Sequence, residues 1–110
     1  MKLFLTITLT AAGFVASAPA AGKGDAQAGK AVFLASCKTC HGSQGEGNPA
    51  IAKALKVTIP PLGSTEVQSK SDEALKKAIA DGSGKMKPVP GLSGRQIQDV
   101  IAFSRSLGKP

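Results

Sequence analysis

Tryptophan and tyrosine are absent from this 110-residue chain, and phenylalanine occurs four times. Phe4 and Phe14 fall in an N-terminal stretch of targeting character, which leaves Phe33 and Phe103 as the aromatics of any folded domain. A small core so poor in rings needs bulk from elsewhere: a staple, a metal or a cofactor. Cysteine occurs only twice, which excludes a disulfide-dense scaffold. With a single histidine beside them, the cysteines are too few for the four ligands of a structural zinc site. Acidic side chains are scarce too, 7 against 14 Lys and Arg, giving a formal net charge of +7. Neither aromatic interleaving for stacked bases nor a recognised nucleic-acid motif accompanies that basicity, so it does not read as a nucleic-acid footprint. The length allows one domain and rules out a multidomain enzyme.

Residues 1–20 have the composition of a cleaved secretory leader. Lys2 gives a minimal positive start, Leu3 to Ala16 is uncharged and largely apolar, and Ala18-Pro19-Ala20 fits the small-residue cleavage rule. The run is too short, and too diluted by Thr6, Thr8 and Thr10, for a comfortable membrane span of about 20 residues. Cleavage after Ala20 would leave residues 21–110 as one domain in a periplasmic or otherwise exported space. Free thiols pair in such a compartment unless something else claims them.

The remaining pattern is helical. Asp25 is a good N-cap, and Gly29, Val32, Phe33 and Ser36 share one face, which predicts a helix over 26–36. Residues 43–49 read as loop, with a short helix expected over 50–56 before Pro60-Pro61. Ser71 caps a second main helix with Asp72 and Glu73 in its first turn and Gly82 as its stop. Residues 82–92 are a Gly/Pro/Lys-rich loop carrying Met86. Ser93 with Gln96 is a capping box that opens the last helix, with Ile97, Val100, Ile101, Phe103 and Leu107 at core spacing and Gly108 as its stop. Strand signals are weak throughout, so the fold class is all-α.

Chemistry concentrates in Cys37-Lys38-Thr39-Cys40-His41, the C-x-x-C-H pattern of covalent haem attachment. Two thiols three positions apart at the end of a helix can reach the two vinyl groups of one porphyrin. The histidine that follows then lies beneath the iron as proximal ligand. A thioredoxin-like redox pair would need a βαβ context, and the neighbouring sequence is helix and Gly-rich loop. The remaining rival is a plain disulfide that happens to precede a histidine.

On these residues the chain resembles the small mono-haem class I c-type cytochromes over nearly all of residues 21–110. The resemblance is carried by Gly24 to Phe33, the Cys37 to Gly42 run, Gly84-Lys85-Met86-Lys87-Pro88 and Asp99 to Phe103. It implies three main helices plus one or two short ones wrapped around one haem c, with the first and last helices crossing at Gly29, Phe33 and Phe103. It further implies that Met86 supplies a thioether to the iron, against an open coordination position or ligation by Lys85 or Lys87. Pro49 is the nearest match to the proline whose carbonyl orients the proximal histidine, with Pro60 and Pro61 as substitutes. Ile59, Pro61 and Leu62 are placed along the haem edge.

The resulting expectation is a soluble, monomeric one-electron carrier rather than an enzyme. Cys37 and Cys40 would be thioether anchors, and His41 and Met86 axial ligands that leave no site for substrate. Such a carrier serves respiratory redox partners. Lys38, inside the haem motif, and Lys85 and Lys87, beside Met86, are candidates for steering a partner with an acidic docking face. The competing readings are a haem peroxidase or gas sensor with a labile methionine, and a cytochrome subunit of a larger respiratory complex.

Overall fold

The computed structural model describes Gly13 and residues 24–108. The leader expected at 1–20, Gly13 apart, lies outside the described residues, as does its cleavage site. Among the described residues six helices follow in order: α1 Ala26–Ser36, α2 Lys38–His41, α3 Pro49–Leu55, α4 Thr65–Gln68, α5 Asp72–Asp81 and α6 Gly94–Ser106. No strand occurs among the described residues, only an isolated bridge between Ser83 and Met86. The all-α expectation holds. The three main helices are α1, α5 and α6, and the short ones number three rather than one or two.

Helix α1 starts where the Asp25 side chain accepts from the backbone N–H groups of Gln27 and Ala28, at 2.9 and 3.3 Å. The Asp25 N–H in turn donates to Oδ1 of Asp99 at 2.8 Å. Asp99 lies on α6, is 6% exposed and pairs with Arg95 at 3.2 Å. The start of α1 is thereby tied to the middle of α6. Along the same crossing, Phe33 and Phe103 meet with ring centroids 5.0 Å apart. Phe33, 1% exposed, is the most deeply buried large side chain. Tilted rings at this separation gain a modest attraction beyond area burial.

Helix α5 is capped by Ser71, whose hydroxyl accepts from the Ala74 N–H at 3.1 Å, and it ends at Gly82 with φ +84°. Helix α6 carries the full capping box: the Ser93 hydroxyl accepts from the Gln96 N–H, and the Gln96 side chain accepts from the Ser93 N–H. Ile79 of α5 and Ile97, Val100 and Ile101 of α6 form the core cluster. Arg105 then fixes the α4–α5 junction to α6. Its guanidinium reaches the carbonyls of Gln68 and Lys70 and the carboxylate of Asp72, the last at 2.8 Å.

Candidate functional site

An apolar cavity lies between α1, α5 and α6. Phe33, Leu62, Val67, Leu75, Ile79, Val100 and Ile101 line it, together with Ala78 and Ser104. Of the residues expected to anchor or ligate the haem, Cys37, His41 and Met86 reach it. Cys37 caps the end of α1 and the start of α2, and His41 is the last residue of α2. Met86 comes from the 82–92 loop, so residues far apart in sequence converge on one chamber.

Met86 sits on a tight turn. The N–H of Ser83 donates to the Met86 carbonyl and the N–H of Met86 to the Ser83 carbonyl, both at 2.9 Å. Gly84 at φ +57° lets the chain reverse between them. The Val89 N–H, donating to the Ile79 carbonyl at 2.9 Å, anchors the loop to α5. A loop methionine between two lysines is a poor candidate for a core filler on sequence grounds. In the fold Met86 is half-buried against the Ile79–Ile101 cluster, because the turn folds it inward while Lys85 and Lys87 stay exposed.

His41 is half-buried beside Phe33, ring centroids 6.4 Å apart. Burial pushes its imidazole below the ordinary histidine value. At neutral pH the ring is therefore neutral, the state with a lone pair free for a metal. Burial, and secondarily the neighbouring Cys40, pushes the Cys37 thiol up. Cys37 and Cys40 do not form a disulfide with each other. Cys40 is exposed and is not among the residues that line the cavity.

Pro49 is the first residue of α3, where a proline's missing N–H costs nothing. Nδ1 of His41 is buried and has no hydrogen-bond partner among the described residues. Of the three residues expected along the haem edge, Leu62 lines the cavity and Ile59 and Pro61 do not. Sequence reasoning overlooked Asn48, which caps α3 and also bonds to α2. Asn followed by Pro at a helix start was the available signal.

A family profile described as "Cytochrome C oxidase, cbb3-type, subunit III" matches residues 24–103. The chain belongs to this family of c-type cytochromes. The cytochrome is 36% identical over 89 residues to cytochrome c-554(547) of Halothiobacillus neapolitanus, covering 76% of this chain and 98% of that one. Its fold is similar to the solved structure of the KustC0563 c-type cytochrome, with a TM-score of 0.63 and 26% identity over 74% of this chain and 98% of that one.

The cofactor of such a cytochrome is covalently bound haem c, and its role is electron carriage. The residues present fit that group. The chamber is almost wholly apolar, as a porphyrin face requires, and it presents one imidazole, one thioether and one thiol. No helix among the described residues is long and apolar enough to cross a membrane.

Proposed function

We propose that this cytochrome is an exported, periplasmic one-electron carrier in which His41 and Met86 are the axial ligands and Cys37 and Cys40 the thioether anchors. The observation that carries the reading is that His41 and Met86, 45 positions apart in the numbering, line the same apolar cavity. When bound, the haem supplies the one-electron couple. The chain's own contribution is to keep the coordination shell unchanged between oxidation states. Met86 is suited to this by its doubly hydrogen-bonded turn, and His41 by its neutral, half-buried ring. Apolar walls exclude water and favour the less charged, reduced state, and a Met/His ligand pair raises the potential further. With both axial positions taken there is no place for a substrate, which separates a carrier from a haem enzyme or gas sensor.

Optical spectra of both redox states test the ligand set. The reduced protein should show the sharp bands of six-coordinate low-spin haem. The oxidised protein should show a weak sulfur–iron absorption near the red end of the visible range. Met86→Ala should lose that absorption and lower the reduction potential. A high-spin spectrum in the native protein, or carbon monoxide binding at neutral pH, would instead favour a labile-ligand enzyme or sensor.

Lys38, Lys85 and Lys87 are all exposed, one beside Cys37 and two flanking Met86. Placed there, they favour a redox partner with an acidic docking face. The rate of electron transfer to such a partner should fall steeply as ionic strength rises, and Lys85→Glu with Lys87→Glu should flatten that slope. A slope that is already flat in the native protein removes steering from the account.

A further inference from the structure

One face of α6 runs at helical spacing through positions 97, 100, 101 and 104. Ile97, Val100 and Ile101 are its apolar members and belong to the core cluster. The fourth is Ser104, 8% exposed, where the stripe calls for an aliphatic residue. Like Val100 and Ile101, Ser104 lines the cavity that Cys37, His41 and Met86 also reach. Cys37 and His41 are spoken for by attachment and ligation. Among the lining residues, the serine hydroxyl is the polar group left without a task.

A buried hydroxyl is costly unless it is hydrogen-bonded. Within a helix a serine ordinarily recovers that cost by bonding back to a carbonyl of the preceding turn. Ser106, two residues on, does so with the Phe103 carbonyl. The backbone carbonyl of Ser104 accepts from the Gln68 amide at 2.9 Å and from the Leu107 N–H at 3.2 Å. Its hydroxyl takes part in neither bond, nor in any other among the described residues. It is also not sealed inside protein, as the Ser64 hydroxyl and Nδ1 of His41 are. A hydroxyl neither bonded nor sealed, on a residue that lines the chamber, is free to turn its dipole toward whatever the chamber holds.

We propose that Ser104 tunes the reduction potential of the haem, its unbonded hydroxyl holding the potential below what a wholly apolar chamber would give. This rests on the reading of His41 and Met86 as axial ligands, which puts the haem inside this chamber. Loss of one electron adds a positive charge to the haem centre, and apolar walls oppose that charge. The polarity of those walls is accordingly a lever on the potential. A hydroxyl whose oxygen turns toward the centre eases oxidation, whereas an aliphatic residue at the same place would oppose it. Ser104 thus offsets part of the bias toward the reduced state that the rest of the chamber imposes.

The experiment is a redox titration of holoprotein in the native chain and in Ser104→Ala, Ser104→Val and Ser104→Thr. Valine and threonine share a shape and differ by a methyl against a hydroxyl, so that pair separates polarity from volume. Optical spectra of all three variants should match the native one, because the ligands are untouched. Ser104→Ala, which introduces the better helix former, should also keep a cooperative melt. At a fixed solution potential, Ser104→Ala and Ser104→Val should raise the ratio of reduced to oxidised protein several-fold, a tenfold change being about 59 mV for one electron. Ser104→Thr should stay close to native. A ratio unchanged or lowered in Ser104→Ala and Ser104→Val would overturn the proposal. So would equal shifts in Ser104→Val and Ser104→Thr, which would make volume the cause. If the native oxidised protein lacks the sulfur–iron absorption, the ligand reading falls and the proposal with it. That outcome is told apart because it appears with Ser104 intact.

Discussion

Protein that has never received haem should show little helix by far-ultraviolet circular dichroism and no cooperative thermal transition. Among the described residues seven hydrophobic side chains are buried: Phe33, Val67, Ile79, Ile97, Val100, Ile101 and Phe103. All of these except Ile97 and Phe103 also line the cavity, so without the cofactor most of the core has one face against nothing. Side chains without partner atoms on one side lose those dispersion contacts outright. The cofactor's weight in the balance is easily judged. At roughly 25 cal/mol per Å², taking about 400 Å² of apolar surface from water supplies on the order of 10 kcal/mol, comparable to the entire net stability of an ordinary domain. Removing that much from a domain with so few rings should leave the unfolded state favoured. A cooperative helical melt in haem-free chain, near the temperature of the holoprotein, would mean that the side-chain core suffices alone.

How legible each element was in the sequence follows from how local its cause is. Helices α1 and α6 were readable because their starts are written in neighbouring residues. Asp25 caps its own second and third successors, and Ser93 and Gln96 cap each other. Helix α4 was not. Ser64 provides no side-chain cap, and what stabilises the turn is the Gln68 amide donating to the carbonyls of Leu62 and Ser104, at 2.7 and 2.9 Å. A bond between Gln68 and Ser104 has no signature in periodicity. The break between α1 and α2 at Cys37 is similarly too short to leave a pattern.

The candidate site divides along the same line. The spacing of Cys37, Cys40 and His41 is a local chemical pattern and could be read directly. Met86 was legible as a loop residue, but its inward packing depends on the turn at Gly84 and on the Val89–Ile79 hydrogen bond. Pro49 carries a local signal as well: Asn48-Pro49 specifies a helix start, and α3 begins there.

Gly29→Ala should lower the melting temperature of the holoprotein by more than 10 °C, although alanine is the better helix former. Alanine in a helix interior is favoured over glycine by about 1 kcal/mol, so in an isolated α1 the substitution would stabilise. In the fold, a Cβ at Gly29 would overlap the carbonyl oxygen of Asp99 and stand 2.9 Å from the Val100 N–H. Those are backbone atoms of α6 and cannot rotate away, so the two helices must separate. Separation also loosens the Phe33–Phe103 contact and lengthens the hydrogen bond from Asp25 to Asp99. Overpacking of this kind costs about 1–3 kcal/mol and occasionally more. The added loss of ring packing and of the buried hydrogen bond carries the net effect past roughly 3 kcal/mol, and each kcal/mol moves the midpoint of a domain this size by about 4–8 °C. Gly94→Ala is the matched control. Gly94 opens α6 with nothing within 4 Å of a built Cβ, so alanine there should leave the midpoint unchanged or raise it slightly. If Gly29→Ala also raised the midpoint, the close approach of α1 and α6 would be wrong, because helix propensity would then be the only term left acting.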